Sequence, residues 1–194
     1  MLLKLCQAGT PVLRQKAKTV SKSLLASKET QQFIDYMIET LRDAPGVGLA
    51  APQVGSPLRI CIVEDKVKYH KPVPPEVLKE QGRKAIPLKV LVNPQLEIIE
   101  AKPVLHFEGC LSVEGYLAAV PRATKVKVTA LDRTGKPVSY TASGWFARIL
   151  QHEIDHLNGA LYIDRANMQS FMTLKNYAKF WREALQAEIA KAFI

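Results

Sequence analysis

The feature that most constrains the fold is a five-residue run, H-E-I-D-H, at residues 152–156. If this run is helical, His152 and His156 lie on one face of the helix, one turn apart. Two imidazoles in that arrangement bind one metal ion, while Glu153 is offset around the helix and reaches a water on that ion instead. The run therefore predicts a central helix that carries the metal site of a hydrolase.

The neighbouring residues agree with a buried helix. Ser143 is a candidate N-cap for a helix over residues 144–157, and the Asn-Gly pair that follows is a typical end. Ile149 lies on the same stripe as His152 and His156, so we expect this face to point into the protein. Because burying two imidazoles without partners costs free energy, a metal ion that binds both is the favoured interpretation.

The rest of the chain predicts an α+β fold, in which small antiparallel or mixed sheets pack around the central helix. Amphipathic helical spacing occurs at residues 29–43 and again at residues 167–192, the predicted C-terminal helix. Strand patterns occur at residues 59–63, 89–92, 96–99, 104–107, 125–131 and 138–141. Residues 64–89 are polar and rich in proline, which predicts a long surface excursion.

A chain of 194 residues, 47% of them hydrophobic, is sufficient for one domain. We expect residues 1–165 to form the catalytic domain and residues 166–194 to form a C-terminal helical extension of it. No apolar run approaches the ~20 residues that span a bilayer, and the start does not resemble a secretory signal. We therefore expect no membrane partner, and a bacterial cytoplasm or, for a mature organellar form, an organelle.

The formal net charge of +9 favours a polyanionic neighbour such as RNA. The lysines are scattered, however, and no aromatic–basic signature accompanies them, so sequence-specific nucleic-acid binding is not expected. A weak contact with the ribosome surface remains an expectation.

The third metal ligand decides the class of enzyme, because catalytic zinc-type sites use three protein ligands and leave one position for water. Tyr162 stands where the extended H-E-x-x-H-x-x-G-x-x-H pattern has its third histidine. Glu183 or Glu188, on the last predicted helix, would complete a metalloprotease site. Cys110, which follows Gly109 in a loop between two predicted strands, is the other candidate.

Three segments resemble, in this order, the signature motifs of the peptide deformylase family. They read G-V-G-L-A-A-P-Q at residues 46–53, E-G-C-L-S at residues 108–112 and Q-H-E-I-D-H at residues 151–156. The resemblance extends over residues 5–165. Residues 113–117, V-E-G-Y-L, differ from many bacterial members, which have an arginine there. Residues 142–145, A-S-G-W, and the excursion at residues 64–89 resemble the organellar-type subgroup, which also occurs in bacteria.

The resemblance implies a role for individual residues of the three motifs. The implied metal ligands are Cys110, His152 and His156. The implied catalytic groups are Glu153 as general acid and base, and Gln53 and the backbone N–H of Leu111 as donors to the oxyanion. The implied substrate-binding residues are Val47, Gly48, Glu108 and Gly109.

The function implied by the resemblance is removal of the N-formyl group from the N-terminal formyl-methionine of new proteins, with N-formyl-methionyl peptides as substrates. One divalent ion is implied, Fe²⁺ first, with Zn²⁺, Ni²⁺ and Co²⁺ as alternatives because the ligand set alone does not fix the metal. Two other functions stay open: an H-E-x-x-H metalloprotease with Glu183 or Glu188 as third ligand, and a non-catalytic ribosome-associated factor.

Overall fold

The strands of the protein form one six-stranded antiparallel sheet. The computed structural model describes residues 1–193, and Ile194 lies outside the described residues. The strands are β1 (Gly48–Ala50), β2 (Ile60–Asp65), β3 (Ile86–Cys110), β4 (Val113–Leu131), β5 (Pro137–Ser143) and β6 (Met172–Thr173). Strands β1 to β5 are neighbours in chain order, and β6 pairs with β4. The α+β class is confirmed, with one continuous sheet in place of several small ones.

Two long helices pack on opposite faces of this sheet. The helices are α1 (Lys22–Ala26), α2 (Lys28–Asp43), α3 (Pro75–Glu80), α4 (Gly144–Leu157), α5 (Leu174–Phe180) and α6 (Gln186–Phe193). Alternate residues of a strand point to opposite faces. Accordingly, Ile60 and Ile62 of β2 join the core cluster of α2, whereas Cys61 and Val63 join that of α4. Among residues 1–193, no helix is both long enough and apolar enough to cross a membrane.

Helix α4 has the bounds predicted from the sequence but a different start. Ser143 makes no capping hydrogen bond through its side chain, so the predicted cap is wrong. Instead, the backbone N–H of Trp145 donates to the carbonyl of Gln81 at 2.8 Å. Gly144 has a φ of +57°, and a Cβ on it would overlap the Gln81 carbonyl. The helix therefore begins on a glycine because the end of the α3 segment lies against its first turn.

Strand β3 joins the three short strands predicted at residues 89–92, 96–99 and 104–107. Its pairing with β4 shifts register between Val92 and Gln95, and again on each side of Glu100. Pro94 lies within the first of these three shifts and Pro103 at the end of the third, and a fourth shift follows between Gly109 and Cys110. Proline cannot donate to the ladder, so the pairing steps around each proline without ending the strand.

The predicted surface excursion at residues 64–89 is partly regular structure. It includes the end of β2, a 3₁₀ turn at Val67–Tyr69, helix α3 and the start of β3. Buried Asp65 accepts two hydrogen bonds from Arg83, at 2.8 and 3.1 Å, which fixes the returning chain against the sheet.

The single C-terminal helix predicted over residues 167–192 is wrong, because α5 and α6 are separate helices preceded by β6. A straight helix would separate residues 181 and 193 by about 18 Å along its axis. The rings of Trp181 and Phe193 are instead 4.9 Å apart, and both pack on Phe107 of β3. The chain turns between the two helices so that both rings reach the sheet. The division into residues 1–165 and 166–194 stays a prediction.

Candidate metal centre

Three side chains that ligate metal ions converge where α4 meets the turn after β3. Cys110 is the last residue of β3, and His152 and His156 lie one turn apart on α4. Their donor atoms all lie within 4.8 Å of one another, and the Cys110 sulfur is 3.3 Å from Nε2 of His156. A thiolate and two imidazoles suit a divalent transition ion, and a set of three leaves a position for water. The residues present therefore fit a catalytic metal ion.

The two glutamates considered as a third ligand lie elsewhere. Glu183 is exposed, and Glu188 is exposed and accepts the backbone N–H of Leu185 at 2.8 Å. In the part of the chain that the structure describes, the cluster with metal-ligand geometry contains neither glutamate. The metalloprotease interpretation loses the ligand on which it depends.

His152 is oriented by a buried carboxylate. Its Nδ1 lies 2.9 Å from Oε2 of Glu108, which leaves Nε2 as the nitrogen for an ion. Glu108 also accepts hydrogen bonds from Arg122 at 2.9 Å and from Arg148 at 2.7 Å. Burial alone would raise the pKa of Glu108, but the charge of Arg122, the hydrogen bond from His152 and the charge of Arg148 hold it well below its ordinary value. Glu108 is therefore an anion at neutral pH.

These contacts change the interpretation of Glu108, which the sequence assigns to substrate binding. Both of its carboxylate oxygens are occupied by protein partners, so a contact with substrate is left to its backbone. The positioning role of Glu108 was missed, although one signal was available. Arg148 lies one turn before His152 on the face predicted to be buried, and a buried arginine requires a buried anion.

The charged network continues past Glu108 to the surface. Arg122 also donates to Asp155 of α4 at 2.5 Å. Asp155 accepts two further hydrogen bonds from the half-exposed Arg165, at 2.7 and 2.8 Å. Positive and negative groups therefore alternate from Arg148 through Glu108, Arg122 and Asp155 to Arg165. This chain of ion pairs holds α4 in register with β3 and β4.

Glu153 follows His152 directly on α4 and is only 4% exposed. Its Oε2 has no hydrogen-bond partner among residues 1–193. Burial raises the pKa of Glu153 to about 7, against the opposing charge of His152. A carboxylate with a pKa near the working pH suits proton transfer in both directions.

Gly48 lies directly against Glu153. A Cβ on this glycine would be 2.6 Å from the carboxyl carbon of Glu153, so any side chain here would displace the acid. The resemblance explains the glycine at position 48 by contact with the substrate. The structure adds a second reason, which is that a side chain here would collide with Glu153. Contact of Gly48 and Val47 with a substrate stays a prediction.

Gln53 is held with its amide nitrogen towards Cys110. Its Oε1 accepts the backbone N–H of Ala50 at 2.9 Å, while Nε2 lies 3.4 Å from the Cys110 sulfur and 3.3 Å from the hydroxyl of Ser112. Leu111 occupies the turn immediately after Cys110. Both groups expected to stabilise an oxyanion therefore lie beside the proposed ligand. Gly109, one residue before Cys110, is exposed and pairs with Leu117 of β4.

The C-terminal segment contributes a wall near this site. The ring of Phe171 stacks on that of Tyr116, with centroids 4.9 Å apart and planes at 4°. The hydroxyl of Tyr162 donates to the Tyr116 carbonyl at 3.2 Å, and the Tyr162 ring stacks over His152. The sequence pattern shows only apolar residues here, so the contribution of Phe171 could not be foreseen.

Comparison with known proteins agrees with the geometry. Residues 2–171 match the family model described as Polypeptide deformylase. Peptide deformylase 1A, chloroplastic/mitochondrial, of Arabidopsis thaliana is 50% identical over 169 residues, which are 87% of this chain and 63% of that protein. The chain thus spans under two thirds of that relative. Peptide deformylase 3 of Streptomyces avermitilis is 43% identical over 194 residues, covering 98% of this chain and 83% of that protein.

A solved structure shares the fold as well. The Met-Ala-Ser-bound class I type b peptide deformylase from Acinetobacter baumannii superposes with a TM-score of 0.75 at 35% identity. The match covers 85% of this chain and 98% of that one.

Proposed function

The chain belongs to the peptide deformylase family, and from that premise we propose that it is a metal-dependent hydrolase that removes the N-formyl group from N-formyl-methionyl peptides of newly made proteins. The observation that carries the proposal is the arrangement of Cys110, His152 and His156 around a common point, with Glu153 beside them. A non-catalytic factor that keeps the fold would have no use for a buried, unpaired acid at this place.

One divalent ion would be held by Cys110, His152 and His156. When bound, such an ion polarises the carbonyl oxygen and lowers the pKa of water. We propose ferrous iron as the native metal, with Zn²⁺, Ni²⁺ and Co²⁺ as ions that the same donors accept.

Side-chain and backbone groups of the protein carry out proton transfer, oxyanion stabilisation and positioning of the peptide. Glu153 accepts the proton of the attacking water and passes a proton to the leaving amine, as a single base and acid. The amide nitrogen of Gln53 and the backbone N–H of Leu111 donate to the formyl oxygen as it gains negative charge. Gly48 lets the peptide backbone approach Glu153, because no side chain separates them.

Four proteins test the assignment with formyl-Met-Ala-Ser as substrate: the wild type, Glu153→Ala, Cys110→Ala and Glu188→Ala. Glu153→Ala should keep its metal and lose ~10²–10⁴-fold in turnover. Cys110→Ala should lose the metal, measured by elemental analysis, and Glu188→Ala should keep metal and activity. A metalloprotease with Glu188 as its third ligand would give the opposite result for the last two variants, and one with Glu183 would keep its metal in Cys110→Ala. A metal-loaded wild type without deformylation would leave the non-catalytic factor as the better account.

A weak association with the ribosome surface belongs to the same proposal, because the substrate emerges there. Exposed basic residues on and between the C-terminal helices support it, namely Lys175, Lys179, Arg182 and Lys191. Pelleting with ribosomes should fall steeply with salt if these charges matter. The proposed place of action is a bacterial cytoplasm or the organelle in which formylated chains are made.

A further inference from the structure

A cavity of about 110 Å³ lies beside the first turn of α4. Its wall comes from the end of α3, the facing parts of β3 and β4, and the start of α4. At roughly 30 Å³ per molecule, it has room for about three waters. Among its lining residues are Gln81, His106, Trp145 and Arg148, whereas the proposed metal ligands and Glu153 do not line it.

Polar groups on this wall lack partners. His106 is 5% exposed, and no hydrogen bond within the described chain engages its ring. Nε1 of Trp145 and Oε1 of Gln81 are buried without a partner among residues 1–193. A half-turn of the Gln81 amide would present its N–H₂ group instead. Nε1 of Trp145 is thus an unpaired buried donor, which costs free energy, and it points to a polar occupant that accepts a hydrogen bond.

Two buried arginines supply positive charge at the cavity. Arg122 and Arg148 line it and are both 4% exposed. In the network described above, their charges are balanced by Glu108 and Asp155, and the half-exposed Arg165 adds a further positive charge beyond Asp155. The N-terminal end of α4, a helix of 14 residues, adds the positive end of its dipole.

The other two ionisable residues on the wall are His106 and Glu80. Burial and, next, the charge of Arg148 lower the pKa of His106 to about 4, so the ring is neutral at pH 7. Glu80 is the carboxylate on the rim, but it is exposed and accepts the backbone N–H of Gln186 at 2.8 Å. A small anion would therefore meet donors and positive charge on the inner wall.

We propose that this cavity binds a small carboxylate anion, and that formate is its occupant. One carboxylate oxygen would accept from Nε1 of Trp145 and the other from the ring of His106, with Arg148 supplying the charge. Formate has three heavy atoms and suits a space of this size. The preference for a small carboxylate rests on the cavity, whereas the choice of formate rests on the proposed function, which releases it.

Trp145 supplies a direct readout. The chain has two tryptophans, so Trp181→Phe leaves Trp145 as the single indole. Its fluorescence is followed while sodium formate replaces sodium gluconate, whose anion is too large to enter, at constant ionic strength. We expect a saturable change with half-saturation in roughly the millimolar range, the strongest binding that three heavy atoms support. A change that rises linearly without saturation is collisional quenching and overturns the proposal.

Three variants separate this cavity from the metal centre. Adding His106→Leu to Trp181→Phe should raise the half-saturating formate concentration about tenfold, because one donor is lost. Adding Cys110→Ser should leave it unchanged, since the metal thiolate is not part of the cavity. Trp145→Phe in the Cys110→Ser background, where no metal centre competes, should reduce the exchange broadening of ¹³C-formate because one donor is lost, and this measurement needs no tryptophan.

The proposal would be overturned if adding His106→Leu left the formate-dependent fluorescence change the same as in Trp181→Phe alone. It would also be overturned if adding Cys110→Ser abolished that change. The second result would mean that formate acts through the metal centre. None of these measurements uses turnover. If the protein binds formate in this cavity but deformylates no peptide, the proposal for the cavity stands and the proposed function fails.

Discussion

The two faces of one segment of β3 are almost equally buried, but one makes charged contacts and the other makes apolar contacts. His106 and Glu108 point towards α4 and are each 5% exposed, whereas Leu105 and Phe107 point towards the C-terminal helices and are 5% and 7% exposed. The first pair meets arginines and a histidine, the second the apolar cluster around Trp181. Equal burial therefore does not mean an equal contribution to stability.

The difference is one of energetics. Apolar burial stabilises in proportion to the area removed from water, at roughly 25 cal/mol per Å². Buried ions lose hydration when the chain folds, so their pairs contribute little net stability, but removing one partner leaves an uncompensated charge. We infer that the charged face fixes the position of His152, while the apolar face attaches α5 and α6.

The largest effect is expected from Glu108→Ala, on the charged face. Without this carboxylate, Arg122 and Arg148 keep their charges in a buried place. The free energy of unfolding of the metal-free protein should fall by ~3–5 kcal/mol in urea titrations. Because His152 also loses its orienting partner, metal affinity measured by chelator competition should fall ~10–100-fold.

Glu100→Ala is the matched control, a glutamate on the exposed stretch of the same strand. Its carboxylate lies 3.5 Å from Lys125 at the surface, so its removal should cost no more than ~1 kcal/mol. Metal affinity should be unchanged. If Glu108→Ala also binds metal normally, the proposed orienting role of Glu108 is wrong.

A smaller effect is expected from His106 when the pH is lowered. Its pKa is about 4 in the folded protein against an ordinary value of 6.5, because burial and Arg148 disfavour the charged ring. Above pH 6.5 the ring is neutral in both states and does not affect stability. As the pH falls from 6.5 to 4, the unfolded chain binds a proton that the folded protein does not, so stability falls by at most about 1.4 kcal/mol per pH unit, about 3 kcal/mol in all.

His106→Leu isolates this contribution. Urea titrations of both proteins between about pH 3 and 7 contain the same contributions from all other groups, so their difference reports on His106. The wild type should lose more stability than the variant over this window, and the difference should level off below pH 4. Parallel curves would show that the ring of His106 titrates normally.

The smallest effect is expected on the apolar face. Ile189 of α6 is 2% exposed and belongs to the cluster around Leu105 and Phe107. Ile189→Val removes one methyl group and should cost about 1 kcal/mol, roughly 2–4 °C in Tm. Metal affinity and kcat/KM should stay at the wild-type values, because this face does not touch the donor cluster. A loss of metal affinity would mean that the two faces are coupled.

The sequence predicted those parts of the molecule in which a local pattern matches a local structure. The period of α4 and the spacing of His152 and His156 are both set within one helix, and the structure has that helix with its predicted bounds. The length of β3 could not be predicted, because Pro94 and Pro103 interrupt the pattern while the register shifts keep the pairing with β4. Alternation of apolar residues does not record such shifts.

Contacts between distant segments were also beyond the sequence pattern. The break between α5 and α6 depends on where Phe107 lies in space, and helical spacing is present on both sides of the break. The network from Arg148 to Asp155 joins residues from β3, β4 and α4. Glu108 was identified through its motif, but its partners became visible only when these elements were brought together.

The burial along β3 also determines how its amide hydrogens exchange with solvent. Residues 105–108 are covered on both faces, whereas residues 97–103 of the same strand are exposed. Amides of residues 105–108 should exchange only when the whole domain unfolds, and those of residues 97–102 through local opening of the hairpin. Deuterium uptake would thus divide a continuous strand into a slow segment that supports the metal centre and a fast segment that moves independently of it.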